Sequence, residues 1–432
     1  MPTLRFFLLT SVVCFCSIQA SAQSDNTSRY GFSNRESPFR WPDNTPKDCP
    51  FPRSKQLKGM VFTGRYSNYT NGDTWYPSWA ADDAMYSPWT DGYILDVDKF
   101  EPFQDSHPGL AANSLDFMGR KAATGNAKVV GNDPMKLEIV PLGRNEGSPA
   151  PYGGRYPCGS LVHNGVWYYG TYALTNNPTN DCGGNGWTEL GPFVGFRTST
   201  DYGKTWQETP HTPAKPIFSE DPKVAKVKIG SPHFVDFGKN MQHSPDGYAY
   251  LVAHGSTNPQ NCNNWIQGDE IYLVRVKPSP ETMNNASAYE YFAGNEKGKA
   301  IWTKDFKQIK PVLKWDEHLG CVTMTYNPAL KKYLMCVTRG IAVERDPKGR
   351  ITNLRYDTMI LESDSMTVNW KLVQYLDRFG PVAYFVNIPS KFISADGKTM
   401  WLSYSANWHD KNMYGNPAGS FYSFSLHEFR LE

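Results

Sequence analysis

The sequence predicts an all-β fold, and three observations carry that prediction. Helical periodicity is hard to find, whereas short Val/Tyr/Phe-rich runs separated by Gly, Asn, Asp and Pro recur along the 432 residues. The composition agrees: 23 Phe, 25 Tyr and 13 Trp combine with 36 Gly and 32 Pro, many packing side chains with many turn formers. That mixture excludes disorder, coiled coil and helical bundle. Finally, four segments repeat one hairpin pattern, at 161–169, 243–251, 326–334 and 393–402. Asn164-Gly165, Asp246-Gly247 and Asp396-Gly397 supply the positive φ that tight hairpins need at three of these turns. The spacing exceeds the about 40–50 residues of a compact propeller repeat, so each unit carries insertions. A β-propeller fits, because ring closure lets each sheet bury both faces; a β-sandwich or β-helix is the alternative.

Taken in order, residues 1–22 read as a signal peptide. Arg5 precedes the apolar run Phe6 to Phe15, and Ala20-Ser21-Ala22 supplies small residues for cleavage. No later stretch is apolar for long enough to span a bilayer. A secreted, extracellular, monomeric protein is expected, with residues 23–55 as an N-terminal extension and 56–432 as one propeller domain. Cys14 and Cys16 leave with the signal; Cys49, Cys158, Cys182, Cys262, Cys321 and Cys336 remain, an even set in an oxidising compartment. Of their fifteen pairings, Cys182–Cys262, Cys321–Cys336 and Cys49–Cys158 suit the neighbouring loops and hairpin best. Asn26, Asn68 and Asn285 head N-glycosylation triplets. With 44 Lys+Arg against 42 Asp+Glu and no basic run, nucleic acid is not an expected partner.

The hairpins read as the two inner strands of each blade. Ser199-x-Asp201-x-Gly203-x-Thr205-Trp206 resembles the Asp box of sialidase-type propellers and reads as the turn between outer strands. Asp201 can bond amides of its own turn, Gly203 relaxes the backbone and Trp206 packs between sheets. Residues 359–370 form a degenerate copy that aligns Trp370 with Trp206. The box is therefore structural. On the other face lie the starts of the first strands and the ends of the second. Tyr172 and His254 end second strands, and each is followed by a long loop and a strand bearing Arg197 or Arg275. His233 starts a first strand near the axis, and Arg339 joins Arg275 as a carboxylate-binding candidate. His163, beside a hairpin turn, falls on the opposite face.

Residues 73–92 hold three Trp, two Tyr and four Asp. Aromatic faces stack on sugar rings and acids bond hydroxyls, so Trp75, Trp79, Trp89, Asp82 and Asp83 read as a carbohydrate platform. Packing of the first blade is the other reading.

Here the residues resemble a known group, the secreted seven-bladed propellers that act on uronate-containing polysaccharides. These include the ulvan lyases and, more closely, the fungal L-rhamnose-α-1,4-D-glucuronate lyases. The likeness runs from about Thr63 to the C terminus and rests on residues 73–92, on Ser106 to Gly109 through Gly131 to Pro134, and on the Tyr172/Arg197 unit. It implies seven blades, a gum-arabic type substrate, and catalysis by His107, Tyr172 and Arg197. The long insertion between Tyr172 and Arg197 departs from the compact ulvan-lyase spacing.

The chemistry asks for the same residue types. Abstracting H5 of a uronate loads charge on its carboxylate, which a guanidinium such as Arg197 would hold bidentately. A histidine is the base that titrates near neutral pH. In a glucuronate substituted at O4 the elimination is syn, so His107 would take the proton and return it to the leaving oxygen, with Tyr172 assisting. Each residue also has a plain reading: His107 as a turn cap, Tyr172 as a strand-end aromatic, Arg197 as a brace between blades. No cofactor is required and no linear metal motif is present, although a structural Ca²⁺ in the propeller channel would leave none. Two other functions compete. A glycoside hydrolase, rhamnosidase or sialidase-like, needs a paired acid and base or nucleophile, and a non-catalytic lectin needs only the platform.

Overall fold

The computed structural model describes residues 32–33, 37–94, 110–111, 123–146, 156–175, 189–220, 227–256, 265–345, 351–406 and 417–432. The described strands form five antiparallel meanders in chain order. Sheet I contains Ser78–Trp79, Met85–Tyr93, Ala123–Val130 and Glu138–Glu146. Sheet II contains Tyr156–His163, Val166–Thr175 and Glu189–Ser199. Sheet III begins with His233–Asp236, Ala249–Gly255 and Glu270–Val276, then adds Glu290–Glu296 and Lys299–Thr303. Sheet IV contains Val322–Asn327, Lys332–Arg345, Ile351–Ser363 and Lys371–Leu376. Sheet V joins the chain ends: Tyr384–Asn387, Thr399–Ser405 and Phe424–Leu431 continue into the early strand Met60–Tyr69.

The core lies between neighbouring sheets. Tyr86 of sheet I meets Trp167 and Tyr169 of sheet II. Phe196 of sheet II shares a cluster with Leu273 of sheet III, and that cluster runs on to Met335 of sheet IV. Leu334 of sheet IV packs with Leu402 and Phe429 of sheet V, and Phe424 of sheet V packs with Trp89 of sheet I. Every sheet thus buries apolar side chains on both faces, the packing of a propeller. The described residues make five such sheets where the resemblance implies seven. Part of the remaining length goes into additions to sheet III, including Pro311–Lys314, and into the connection that follows Ser199.

Two of the four expected hairpins are tight. Asn164 (φ 50°) and Gly165 (φ 81°) close one, and Lys331 (φ 53°) helps to close the other. At Asp246-Gly247 and Asp396-Gly397 the second strand follows as expected, but the first lies further upstream, at His233–Asp236 and Tyr384–Asn387. Pro245 and Pro389 lack the N–H a ladder would use. The Asp box folds as read: Asp201 accepts from the Lys204 and Thr205 amides at 3.1 and 2.9 Å, and Trp206 meets Trp167 edge-on at 5.1 Å. In the degenerate copy Ser363 repeats the turn, bonding the Ser365 amide at 3.1 Å and the Val368 carbonyl at 2.6 Å.

The disulfide expectations are corrected. Cys49, Cys158, Cys321 and Cys336 are free thiols. Cys321 points to the Trp265 carbonyl and sits in the cluster with Tyr76, Tyr356 and Tyr384, whereas Cys336 is buried in the cluster between sheets IV and V. Cys182 and Cys262 lie outside the described residues. Residues ahead of Met60–Tyr69 pack on the sheets: Phe39 bridges to Phe62, and Trp41 donates to the Asp377 carbonyl at 2.7 Å.

Candidate active site

The first strands of the five sheets are tied in a circuit around an axis. Ser78 accepts from the Val162 amide at 2.9 Å, and the Gly159 amide donates to the Pro232 carbonyl at 2.8 Å. Val235 and Asp236 pair in parallel with Met324 and Thr325. Thr323 and Thr325 donate to the Val386 and Ile388 carbonyls, both at 2.7 Å, and Asn387 donates to the Trp75 carbonyl at 3.1 Å. Within this circuit is a cavity of about 50 Å³, room for a water molecule or two, bordered by Tyr76, Ser160, His233 and Thr323. Among the described residues, the Tyr76 hydroxyl and His233 Nδ1 are buried there without a hydrogen-bond partner. Their rings lie 4.0 Å apart. Burial, then the neighbouring His254, pushes His233 down to about 3, so its imidazole is neutral at neutral pH.

Where the first strands begin and the second strands end, buried polar side chains converge. Asp73 Oδ2 accepts from the Tyr384 hydroxyl at 2.6 Å and the Tyr422 hydroxyl at 3.0 Å, while Thr74 donates to Oδ1 at 2.6 Å. The Tyr156 hydroxyl donates to Asp91 at 3.0 Å, and Tyr172 meets Tyr156 edge-on at 5.5 Å. Asp73 pairs across the sheet with Thr90, which places Asp91 on the adjoining strand. The two acids feel each other. Burial, followed by the charge of Asp91, pushes Asp73 up to about 7 despite the three hydroxyls that favour its anion.

Local backbone explains how two acids come so close. A Cβ on Gly92 would lie 1.9 Å from the Asn71 carbonyl oxygen, so only glycine permits that crossing beside Asp91. Thr70, Thr74, Asp91, Val382 and Phe385 all hold positive φ, between 48° and 70°. For β-branched Thr and Val this conformation is costly, and such strain concentrates at functional sites.

Of the residues expected from sequence, Tyr172, His233 and His254 join this cluster, all buried. Arg197 does not. Its fully buried guanidinium donates to Glu208 at 3.0 Å and to Thr124 of sheet I at 3.2 Å, a brace between sheets I and II. Trp75 and Trp89 stack on each other at 6.0 Å within the core between sheets V and I, so neither offers a face to a sugar. Trp79, Asp82 and Asp83 occupy the turn at the opposite end of sheet I. Asp82 bonds Tyr86 at 2.7 Å and Lys128 at 3.1 Å; Asp83 bonds Trp79 at 3.1 Å and Lys239 at 3.0 Å. Arg275 is held by Glu290 at 2.6 Å and Asp246 at 3.2 Å, between the rings of Tyr248 and Trp302. His163 bonds the Asn240 carbonyl at the same opposite end as Asp83. His107 lies outside the described residues.

Sequence reading missed Asp73, Asp91, Tyr76, Tyr156, Tyr384 and Tyr422 as site residues. The available signal was the pair Gly72-Asp73 and Asp91-Gly92, each an acid beside a glycine. Among the described residues, no three His, Cys, Asp or Glu side chains are grouped to hold a metal ion. The axial cavity offers a phenol and a neutral imidazole. Its Asp236 is engaged by Ser390 and the Gly238 amide, a donor set that does not fit Ca²⁺.

No protein-family model matches the chain, and no curated protein does. Several solved structures are similar at low identity. RS223 β-xylosidase aligns at 12% identity over 84% of this chain and 92% of its own, with a TM-score of 0.43. A GH43_1 enzyme from Xanthomonas citri aligns at 10% identity over 84% and 88%, with a TM-score of 0.42. A GH43 β-xylosidase/α-arabinofuranosidase from a compost microbial metagenome, solved in complex with xylotriose, aligns at 10% identity over 84% and 92%, with a TM-score of 0.43.

Proposed function

We propose that the chain is a secreted carbohydrate-active enzyme that hydrolyses a glycosidic bond, with Asp73 and Asp91 as its working acids. The observation that carries this reading is the pair of buried carboxylates Asp73 and Asp91 on adjoining strands, with burial and then Asp91 pushing Asp73 up to about 7, the pairing that glycoside hydrolysis needs. Asp73 would protonate the leaving oxygen. Tyr384, Tyr422 and Thr74 would then stabilise its new carboxylate through hydrogen bonds already formed. Asp91 would act on the opposite partner, as base toward water or as nucleophile. Tyr76 and His233, each carrying a polar atom with no partner among the described residues, would bond sugar hydroxyls.

Elimination from a rhamnosyl-glucuronate, the finer reading that the resemblance implies, assigns the base to His107 and the carboxylate clamp to Arg197. The engagement of Arg197 with Glu208 and Thr124 weighs against that version. Incubation with gum arabic, ulvan and xylo-oligosaccharides separates the two. Hydrolysis yields new reducing ends without an ultraviolet-absorbing unsaturated uronate; appearance of that chromophore would overturn hydrolysis in favour of elimination.

A further inference from the structure

The Asp box and its degenerate copy differ at one hydrogen bond. In the box, the Trp206 indole donates to the carbonyl of Gly203, three residues before it, at 3.2 Å. In the copy the corresponding carbonyl belongs to Thr367. It accepts from the Asn295 amide of sheet III at 3.3 Å, and the Thr367 hydroxyl donates back to the Asn295 carbonyl oxygen at 3.1 Å. Trp370 is 4% exposed, and its Nε1 is buried with no hydrogen-bond partner among the described residues. A buried indole N–H normally finds an acceptor, so here a ligand or water is called for.

Trp370 lines a groove of about 380 Å³, bordered by Phe51, by Val312 of sheet III and by Asp364, Asn369 and Lys371 of the copy. That volume falls within the roughly 300–1,000 Å³ of sites that take small ligands. Phe51 and Val312 supply apolar surface, whereas the copy supplies a carboxylate, an amide and an ammonium. Asn369 is exposed at φ 60°, and its side chain makes no hydrogen bond among the described residues. Asp364 is paired with Lys332 at 2.6 Å, and Glu362 lies 2.9 Å from Lys332 and 4.0 Å from Lys371. Two ammoniums thus meet two carboxylates, so the groove has no net charge with which to hold an ion. Donors and acceptors beside apolar surface suit a neutral sugar, whose ring carbons form an apolar face edged by hydroxyls. Ser363, which opens the turn, pairs with Tyr333 at the start of the second strand, so the groove lies at the end of sheet IV away from the acid pair.

We propose that this groove is a second carbohydrate-binding site, which takes a neutral sugar unit of the glycan and holds the protein to it without acting on it. Its purpose rests on the glycan-cleaving reading, but the binding is measured without catalysis. The test is magnetic resonance of the full chain carrying Asp73→Asn, with its tryptophan indoles isotope-labelled. The indole signal that vanishes in Trp370→Phe, a change that keeps a packing ring, is that of Trp370. Titration with xylotriose, arabinotriose and galactotriose should shift this signal saturably for at least one of them, and glucuronate should bind more weakly than that sugar. Asn369→Gly, which suits the positive φ, should raise the midpoint about 3- to 10-fold. A signal unmoved by all three sugars, an unchanged midpoint in Asn369→Gly, tighter binding of glucuronate, or a shift produced by protein concentration alone, which would give the groove to a second copy, would each overturn the proposal. A parent chain that cleaves no glycan while the shift persists removes the hydrolytic reading alone; cleavage with an unmoved signal removes the second site alone.

Discussion

The hydroxyl of Tyr384 donates to Asp73 at 2.6 Å across 311 residues of sequence, joining the first strand of the last sheet to the first sheet. That contact opposes the burial that raises Asp73, because it favours the anion. Tyr384→Phe should therefore raise the Asp73 pKa further. If Asp73 works as the acid, activity falls as pH rises through its pKa, and in this variant the alkaline limb should move to higher pH. A limb that stays in place would remove Asp73 from the acid role.

Asp91→Asn should do the reverse. Loss of a neighbouring negative charge lets Asp73 ionise more easily, so any residual activity should fall off at lower pH than in the parent protein. The rate itself should drop by about 10²- to 10⁴-fold if Asp91 is the base. Rate profiles of both variants against pH, measured side by side, test whether the shifts are opposite in sign.

Asp73 also ties stability to pH. Its folded pKa of about 7 stands above its ordinary value of 3.8, so the folded state holds the proton more tightly than the unfolded chain. Stability is then greatest below the unfolded value and is lost as pH rises from about 4 toward about 7. Asp73→Asn should flatten that slope in urea unfolding measured across the same range.

Arg197→Lys should behave as a structural change. The ammonium cannot reproduce the reach to both Glu208 and Thr124, so unfolding free energy should fall by about 1–3 kcal/mol. Turnover per folded molecule should change little. A collapse of kcat with unchanged stability would return Arg197 to the catalytic machinery.

Trp89→Ala should cost about 3–5 kcal/mol, the range for removing a large buried aromatic, because its ring stacks on Trp75 inside the core. Glycan binding by the molecules that remain folded should be preserved. Selective loss of binding with normal unfolding would restore the aromatic platform.

Local features of this fold were legible in the sequence because their causes are local. The Asn164-Gly165 turn needs only its own two residues, and Asp201 bonds amides within four residues of itself. The shared end of Tyr172, His233 and His254 followed from strand direction alone. Contacts between sheets were not legible. The sequence left a packing role for Arg197 and Trp89 open beside the functional one, but could not say which neighbouring sheet receives them. The acid pair at Asp73 and Asp91 depends on a close backbone crossing at Gly92 and on tyrosines from the far end of the chain. Neither leaves a periodic trace.

The pairing of Met60–Tyr69 with Phe424–Leu431 bears on when this molecule becomes competent during synthesis. Asp73 emerges from the ribosome early, whereas Tyr384, Tyr422 and the strand that seals sheet V emerge last. Until then the early strand has an open edge and the acid lacks two of its hydroxyl partners. A chain interrupted before Tyr422 would carry most of its sheets yet lack both a hydroxyl partner of Asp73 and the strand that pairs with Met60–Tyr69.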